Sequence, residues 1–259
     1  MFRYRQVLLA IGHWLTRGAI GFAMMPAALL ILNVGGRSEG LRAEQPANTQ
    51  KEDQMQASKG KMKEICLGLL AYENAHKHFP AAVIVGPDGK TTHSWRVEML
   101  PYLGRQNDYA NYRMNEPWDS ENNLEVAKAA AEPFIVPSDD STDDCGYFLL
   151  TGPATPFDGK KTTGIRAVRD GTTNTVGLVE AKRKIPWSKP EDISYDPKKP
   201  LPKLGGFFEG GFHVGFLDGS ILFLPQDEID DETLRAMFTH AGGERAKRPA
   251  IDIWPTLVK

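Results

Sequence analysis

Cysteine is scarce in this 259-residue sequence: Cys66 and Cys145 are the two present, too few for a disulfide framework. No CxxC, HExxH or clustered His/Cys set occurs, which excludes the common zinc centres. GxSxG is missing as well. Gly89-Lys90-Thr91 has the ending of a phosphate loop, but Ile84 stands where its first glycine is required. Positive charge is also in short supply. The formal net charge is −2, and beyond residue 43 there are 26 basic side chains against 32 acidic ones, so no basic face for nucleic acid is implied. Past residue 34 there is no long hydrophobic run.

The one such run lies near the front. Residues 18–34 are uncharged, and they follow Arg3, Arg5 and Arg17 with no acid between. A basic stretch before an apolar one is the pattern of an export signal. A membrane span needs roughly 17–25 apolar residues, so the run also reaches the minimum for an anchor, although Pro26 opposes a rigid span; a buried core helix is the remaining alternative. Residues 1–36 are expected to be an export signal or membrane anchor, 37–53 a flexible linker, 54–245 the folded domain and 246–259 a tail. The expected location is periplasmic, envelope or extracellular, with membrane contact through the N-terminal segment alone.

With 41% hydrophobic and 25% charged residues, the composition is that of a globular chain. From about Gln54 to Ala75 the residues Met62, Ile65, Cys66, Leu69 and Tyr72 recur at helical spacing, and Phe79-Pro80 ends the pattern. Residues 83–85, a Pro87-Asp88-Gly89 turn and Thr91 onward read as strand, turn and strand. Ser94 is placed to cap a short helix limited by Pro101, and Ser120 a longer one through Ala131 with Leu124, Ala127 and Ala131 inward. Residues 147–150, 165–168 and 175–180 read as strands. Prolines at 186, 190, 197, 200 and 202 mark an extended loop. Asp218-Gly219 between apolar residues signals a hairpin, and Asp230 caps a last helix with Leu234, Met237, Phe238 and Ala241 inward. Helices at both ends with strands between argue for an α+β fold: a long N-terminal helix on a mainly antiparallel sheet, with a C-terminal hairpin and helix.

The ordered segments MKEICLGLLAYENAHKHFP, SWRVEMLPYL, EPWDS, DGTTNTVGLVEA, PWSKPEDISYDPKKPLPKLGG, GGFHVGFLDGSILFL and LRAMFTHAGGE resemble the DUF1559 family of planctomycete-type envelope proteins over about residues 54–245. The resemblance implies a pseudopilin-like build outside the cytoplasm, with no established activity. Three departures accompany it. Gly21-Phe22 is present, but Pro26 stands where a prepilin pattern has Glu. Phe208 occupies the histidine position of the H-X9-DG element, and Ser58 and Val136 fall where pilin-like members carry cysteines.

Candidate chemistry has an ordinary alternative at each position. Asp170, Gly171 and Asn174 have the polar density of a site, yet these residue types bond their own backbone in turns; Asp218 and Gly219 read the same way. A hydrolase would use Asp170, His213 or Asp218, although strand alternation puts 213 and 218 on opposite faces. His76 and His78 close the first helix, where its dipole favours them. Asp139, Asp140, Asp143 and Asp144 suggest calcium, but the EF-hand glycine and glutamate are missing. Cys66 reads as a small buried hydrophobe, and its pairing with Cys145 stays open. No catalytic set, metal or cofactor is expected. The aromatics Trp118, Trp187 and Tyr195 with Asp119 are the candidates for stacking on sugar or peptide, against a role in packing. The expected function is that of a non-catalytic interaction or structural domain whose partner is an envelope or extracellular protein or a glycan; the alternatives are glycan or peptide binding through those aromatics, or hydrolysis.

Overall fold

The computed structural model describes residues 47–141, 143–158 and 162–243; the expected export segment 1–36, residues 37–46 of the expected linker and the tail 246–259 lie outside them. Helix α1 spans Ala47–His76 and so begins within the stretch expected to be linker. Met55, Ser58, Met62, Ile65, Cys66, Leu69 and Tyr72 are buried on one face, the three- and four-residue spacing of an amphipathic helix. Lys77 stops it with φ +67°, in the left-handed conformation that commonly ends helices. Among the described residues no helix is long and apolar enough to cross a membrane.

The buried face of α1 rests on a four-stranded antiparallel sheet of order β3-β5-β7-β8. Its strands are β3 (Tyr147–Phe148), β5 (Val176–Glu180), β7 (Gly211–Phe216) and β8 (Ile221–Pro225). All of β5 and β7 is buried, because α1 packs on both strands and α5 (Asp231–Phe238) also packs against β5. A Cβ at Gly215 would collide with Cys66 Sγ, so the helix sits directly on strand backbone there. Both cysteines are free and buried, and burial pushes the Cys66 thiol up to about 12. The fold is α+β, as the sequence pattern indicates.

Two small ladders flank the main sheet. Strands β1 (Val83–Val85) and β2 (Thr92–Ser94) form an antiparallel hairpin, and β4 (Leu150–Thr151) pairs in parallel with β6 (Ile193–Ser194) in the proline-rich loop. Ser94 caps α2 (Trp95–Met99) by accepting from Arg96 N, and Ser120 caps α4 (Glu121–Ala130) by accepting from Asn123 N.

Three expectations are corrected. Residues Ile165–Ala167 form a 3₁₀ turn, not a strand: Glu73 Oε1 accepts from Ile165 N at 3.2 Å and His240 O from Arg169 N at 2.8 Å, so helix and C-terminal groups take the hydrogen bonds a sheet would need. Leu124 is exposed; the neighbouring Asn123 turns inward, bonding Arg113 N and the carbonyls of Arg113, Glu116 and Pro117. Ala241 is exposed beyond the end of α5.

The β7–β8 turn is a three-residue loop, Leu217-Asp218-Gly219. Gly219 N donates to Phe216 O at 2.9 Å, Phe216 N donates to Ser220 O at 2.8 Å, and Gly219 alone of the three has positive φ, +82°. Asp218 Oδ1 accepts from Ser220 N at 2.8 Å. A Cβ at Gly219 would lie 3.2 Å from Leu70 Cδ1 on α1. Gly219→Val is therefore expected to cost about 1–3 kcal/mol through backbone strain, read as a lowered melting temperature; an unchanged melting curve would contradict it.

A buried ion pair joins the hairpin region to the sheet and the proline loop. Arg96 Nη2 lies 2.8 Å from Asp192 Oδ1, with side chains 0% and 3% exposed. Arg96 also donates to Tyr147 O and Ser94 Oγ, while Asp192 accepts from Leu149 N at 2.9 Å and Trp95 Nε1 at 3.0 Å. Burial pushes the Asp192 carboxyl above its ordinary range, with Arg96 and these donors pulling against it. Leaving one buried charge alone costs about 3–5 kcal/mol. Asp192→Asn should lose stability of that order in urea unfolding, and Arg96→Met with Asp192→Leu together should lose less than the sum of the single changes; near-neutral single variants would contradict this account.

Candidate functional site

The densest polar chemistry in the fold is sealed inside it. Glu180 and His213 pair across β5 and β7 at 3.2 Å, with side chains 0% and 1% exposed. Ser58 Oγ donates to Glu180 Oε1 at 2.5 Å and lies 2.8 Å from the Tyr147 hydroxyl, and His213 N donates to Glu180 Oε2. Phe208 and Phe223 set their rings edge-on to the imidazole. Serine, glutamate and histidine are thus assembled, but glutamate lies between the other two, so the histidine cannot take the serine proton, and all three are buried. The cluster fastens α1 to the sheet. Sequence reasoning paired His213 with neither Glu180 nor Ser58, since they lie 33 and 155 residues away; a lone Glu ending an apolar strand was the available signal.

The residues expected to bind ligand do not converge. Trp187 is fully buried, stacked on Phe134 at 4.9 Å and donating its indole N–H to Ala127 O at 2.9 Å. Tyr195 is buried edge-on to Phe238. Trp118 is half-buried and Asp119 exposed. Asp192, within the proline loop, is consumed by Arg96. With two of the three rings serving as core, the expected aromatic platform is not formed. Asn174 Nδ2 donates to Asp170 O and Gly171 has φ +90°, both turn roles, but the Asp170 carboxylate, expected to bond its own turn, instead accepts from Gly242 N and Gly243 N and ties down the chain beyond α5. Asp139 pairs with Lys182 at 3.4 Å, and among the described residues no group of three or more acidic, His or Cys side chains is arranged to hold a metal.

An open cleft of about 810 Å³ lies at the C-terminal end of α1, within the roughly 300–1,000 Å³ typical of ligand sites. One wall is hairpin strand β1 with Ala81; Tyr72, His78, Glu98, Asp158 and Thr162 complete it. Behind Tyr72, the ring of His76 stacks at 4.0 Å and His76 Nε2 lies 3.1 Å from the Tyr102 hydroxyl. Burial and the facing Glu98 carboxylate push the Tyr72 phenol well up, and burial raises Tyr109. These phenols stay protonated at physiological pH, so they offer hydrogen bonds and apolar area but no base. The Tyr72–His76 spacing of four residues, one helical turn, and the uninterrupted Val83-Ile84-Val85 run were the signals in the sequence for this wall.

Strand β1 is also an open edge. Gly86 N donates to Thr91 O at 2.8 Å and Trp95 N to Ala82 O at 3.3 Å, while Ile84 pairs with His93. Even-numbered residues therefore face β2, and Val83 and Val85 direct their N–H and C=O outward. Among the described residues no hydrogen bond takes up these groups. Val85 is also 59% exposed, a large apolar side chain on a bare edge.

His93 braces this hairpin from behind. It is buried, with Nδ1 3.0 Å from the Tyr112 hydroxyl and Nε2 3.0 Å from Met114 O, and burial holds its pKa below the ordinary value. As pH falls the unfolded chain takes up the proton first, so the stability due to neutral His93 is complete above about pH 6.5 and is lost from there towards the depressed folded value. The wild-type melting temperature should fall more between pH 7.5 and 5 than that of His93→Gln; parallel pH profiles would contradict this.

Comparison with curated proteins and with solved structures finds no match. Residues 54–160, which hold most of α1, the hairpin and the cleft wall, match the family described as a protein of unknown function (DUF1559). That match makes residues 54–160 similar to the DUF1559 family, in agreement with the resemblance seen in the sequence.

Proposed function

We propose that this domain is a non-catalytic interaction module, working outside the cytoplasm, that docks an extended peptide segment along β1 and the adjoining cleft. The observation that carries the reading is the bare β1 edge. Two residues, Val83 and Val85, present paired donors and acceptors beside an open cleft with an apolar wall, the arrangement used when a peptide adds a strand to a sheet. Backbone bonds supply affinity in that mode, and the Tyr72, His78 and Glu98 side chains supply selectivity. The buried Ser58–Glu180–His213 cluster supports a non-catalytic role, since a substrate has no path to it. The basic-then-apolar order of residues 1–34 supports export.

Val85→Pro tests the docking directly. Its N–H points away from β2, so proline removes an outward donor and leaves the hairpin ladder intact. On an array of short immobilised extended peptides, the variant should retain about tenfold less, the effect of losing one or two net hydrogen bonds. Equal retention by both proteins above the blank matrix would place binding elsewhere.

A further inference from the structure

Resting on the docking reading above, we infer that the extended segment docked beside Val83–Val85 belongs to another molecule and carries a lysine or arginine side chain among aliphatic residues, with Glu98 and Asp158 as the acceptors of its charge. The chemistry of the cleft wall carries this.

Acceptors dominate the polar part of that wall. Among the described residues it holds the Glu98 and Asp158 carboxylates and no lysine or arginine. The ion pairs of the described residues include neither carboxylate. His78 adds a further acceptor. Its Nδ1 lies 2.8 Å from Phe79 O, and because a carbonyl only accepts, Nδ1 holds the proton and the neutral ring keeps its lone pair at Nε2. Two carboxylates and an imidazole acceptor beside one open cleft are satisfied by a donor-rich cation, an ammonium with three N–H groups or a guanidinium with five. An acidic segment would instead set like charges together.

The remaining wall fixes what accompanies the cation. Ala81, Val83, Ile84 and Val85 are all aliphatic, and Val85 is 59% exposed. In a strand added at this edge, alternate side chains stand on the face shared by Val83 and Val85, where aliphatic partners cover them. Lysine and arginine suit the same surface, since their methylene stems pack along apolar side chains while the charged head reaches a polar group. The charge of the chain acts in the same direction: with 32 acidic against 26 basic side chains beyond residue 43, a basic segment is drawn towards it and an acidic one repelled.

Fluorescence anisotropy on the full chain tests the inference with labelled, acetylated and amidated peptides of alternating valine and threonine, in which one threonine at a time becomes lysine, glutamine or glutamate. At the favoured position the lysine peptide should bind about tenfold more tightly than the glutamine peptide, the effect of one charge-assisted hydrogen bond, and the glutamate peptide should bind more weakly than either. Glu98→Gln with Asp158→Asn should bring the lysine and glutamine peptides within about twofold of each other. Should that double variant melt early, Asp158→Asn alone and a rise in salt from about 0.05 to 0.5 M should each narrow the lysine preference. Equal affinity for lysine and glutamine peptides at every position would overturn the inference, as would a lysine preference that survives both the carboxylate variants and high salt. A gain of the same size from an unacetylated peptide lacking lysine would assign the carboxylates to a chain terminus and overturn it as stated. Failure of the docking reading is separable. If all the peptides bind alike and Val85→Pro weakens them all, docking stands and the charge preference falls. If no peptide binds at all, both fall.

Discussion

The ion pair between Arg96 and Asp192 holds together parts of the chain that have little regular structure of their own. Residues 186–202 are rich in proline and supply only the two-residue strand β6. Asp192 anchors this loop by collecting donors from α2 and from Leu149 beside β3, and Arg96 reaches back to the carbonyl of Tyr147. The Arg96 guanidinium also lies over the Trp95 and Phe148 rings, at 4.9 and 5.1 Å from their centres. Burying two charges is costly, and the cost is offset only because both groups are so fully hydrogen-bonded. A loop without a ladder thus acquires one fixed position.

The Ser58–Tyr147–Glu180–His213 cluster does similar work one layer away, where the first helix crosses the sheet. Tyr147 belongs to both networks: its hydroxyl meets Ser58 and its carbonyl meets Arg96. The helix, the central strands and the proline loop are consequently registered through a single residue of a two-residue strand. Fully satisfied polar networks of this kind favour one arrangement over its near alternatives. They also consume the residue types from which a catalytic site would be built.

What remains available to a partner lies at the margin. The β1–β2 hairpin stands apart from the main sheet, and its turn, Pro87-Asp88-Gly89, is stabilised by Asp88 accepting from Lys90 N, Thr91 N and Thr91 Oγ1. One strand of that hairpin has a hydrogen-bonded neighbour on one side and a cleft on the other. Unpaired strand edges are normally blunted by charge, proline or a covering segment. In β1 all three residues are aliphatic, which is why occupancy of the edge is the functional question that this fold raises.

Local information in the sequence determined much of this protein. Helical spacing along Met62, Ile65, Cys66, Leu69 and Tyr72, the caps at Ser94, Ser120 and Asp230, and the Asp218-Gly219 hairpin all follow from interactions between residues close in the chain, and the structure keeps them. The sequence alone misplaced Leu124 because hydrophobicity does not reveal that Asn123 has four backbone partners to satisfy. It read residues 165–168 as a strand because the competing partners, Glu73 and His240, come from opposite ends of the chain. Trp187 and Tyr195 looked like a binding surface for the same reason: an aromatic ring serves core and surface equally well, and whether Phe134 or solvent faces it is settled by contacts across more than fifty residues. The cleft was decided by tertiary structure too, since Tyr72, Glu98 and Asp158 meet only after the helix, the hairpin and the loop have packed, and burial depends on which surfaces find each other rather than on any residue's own preference.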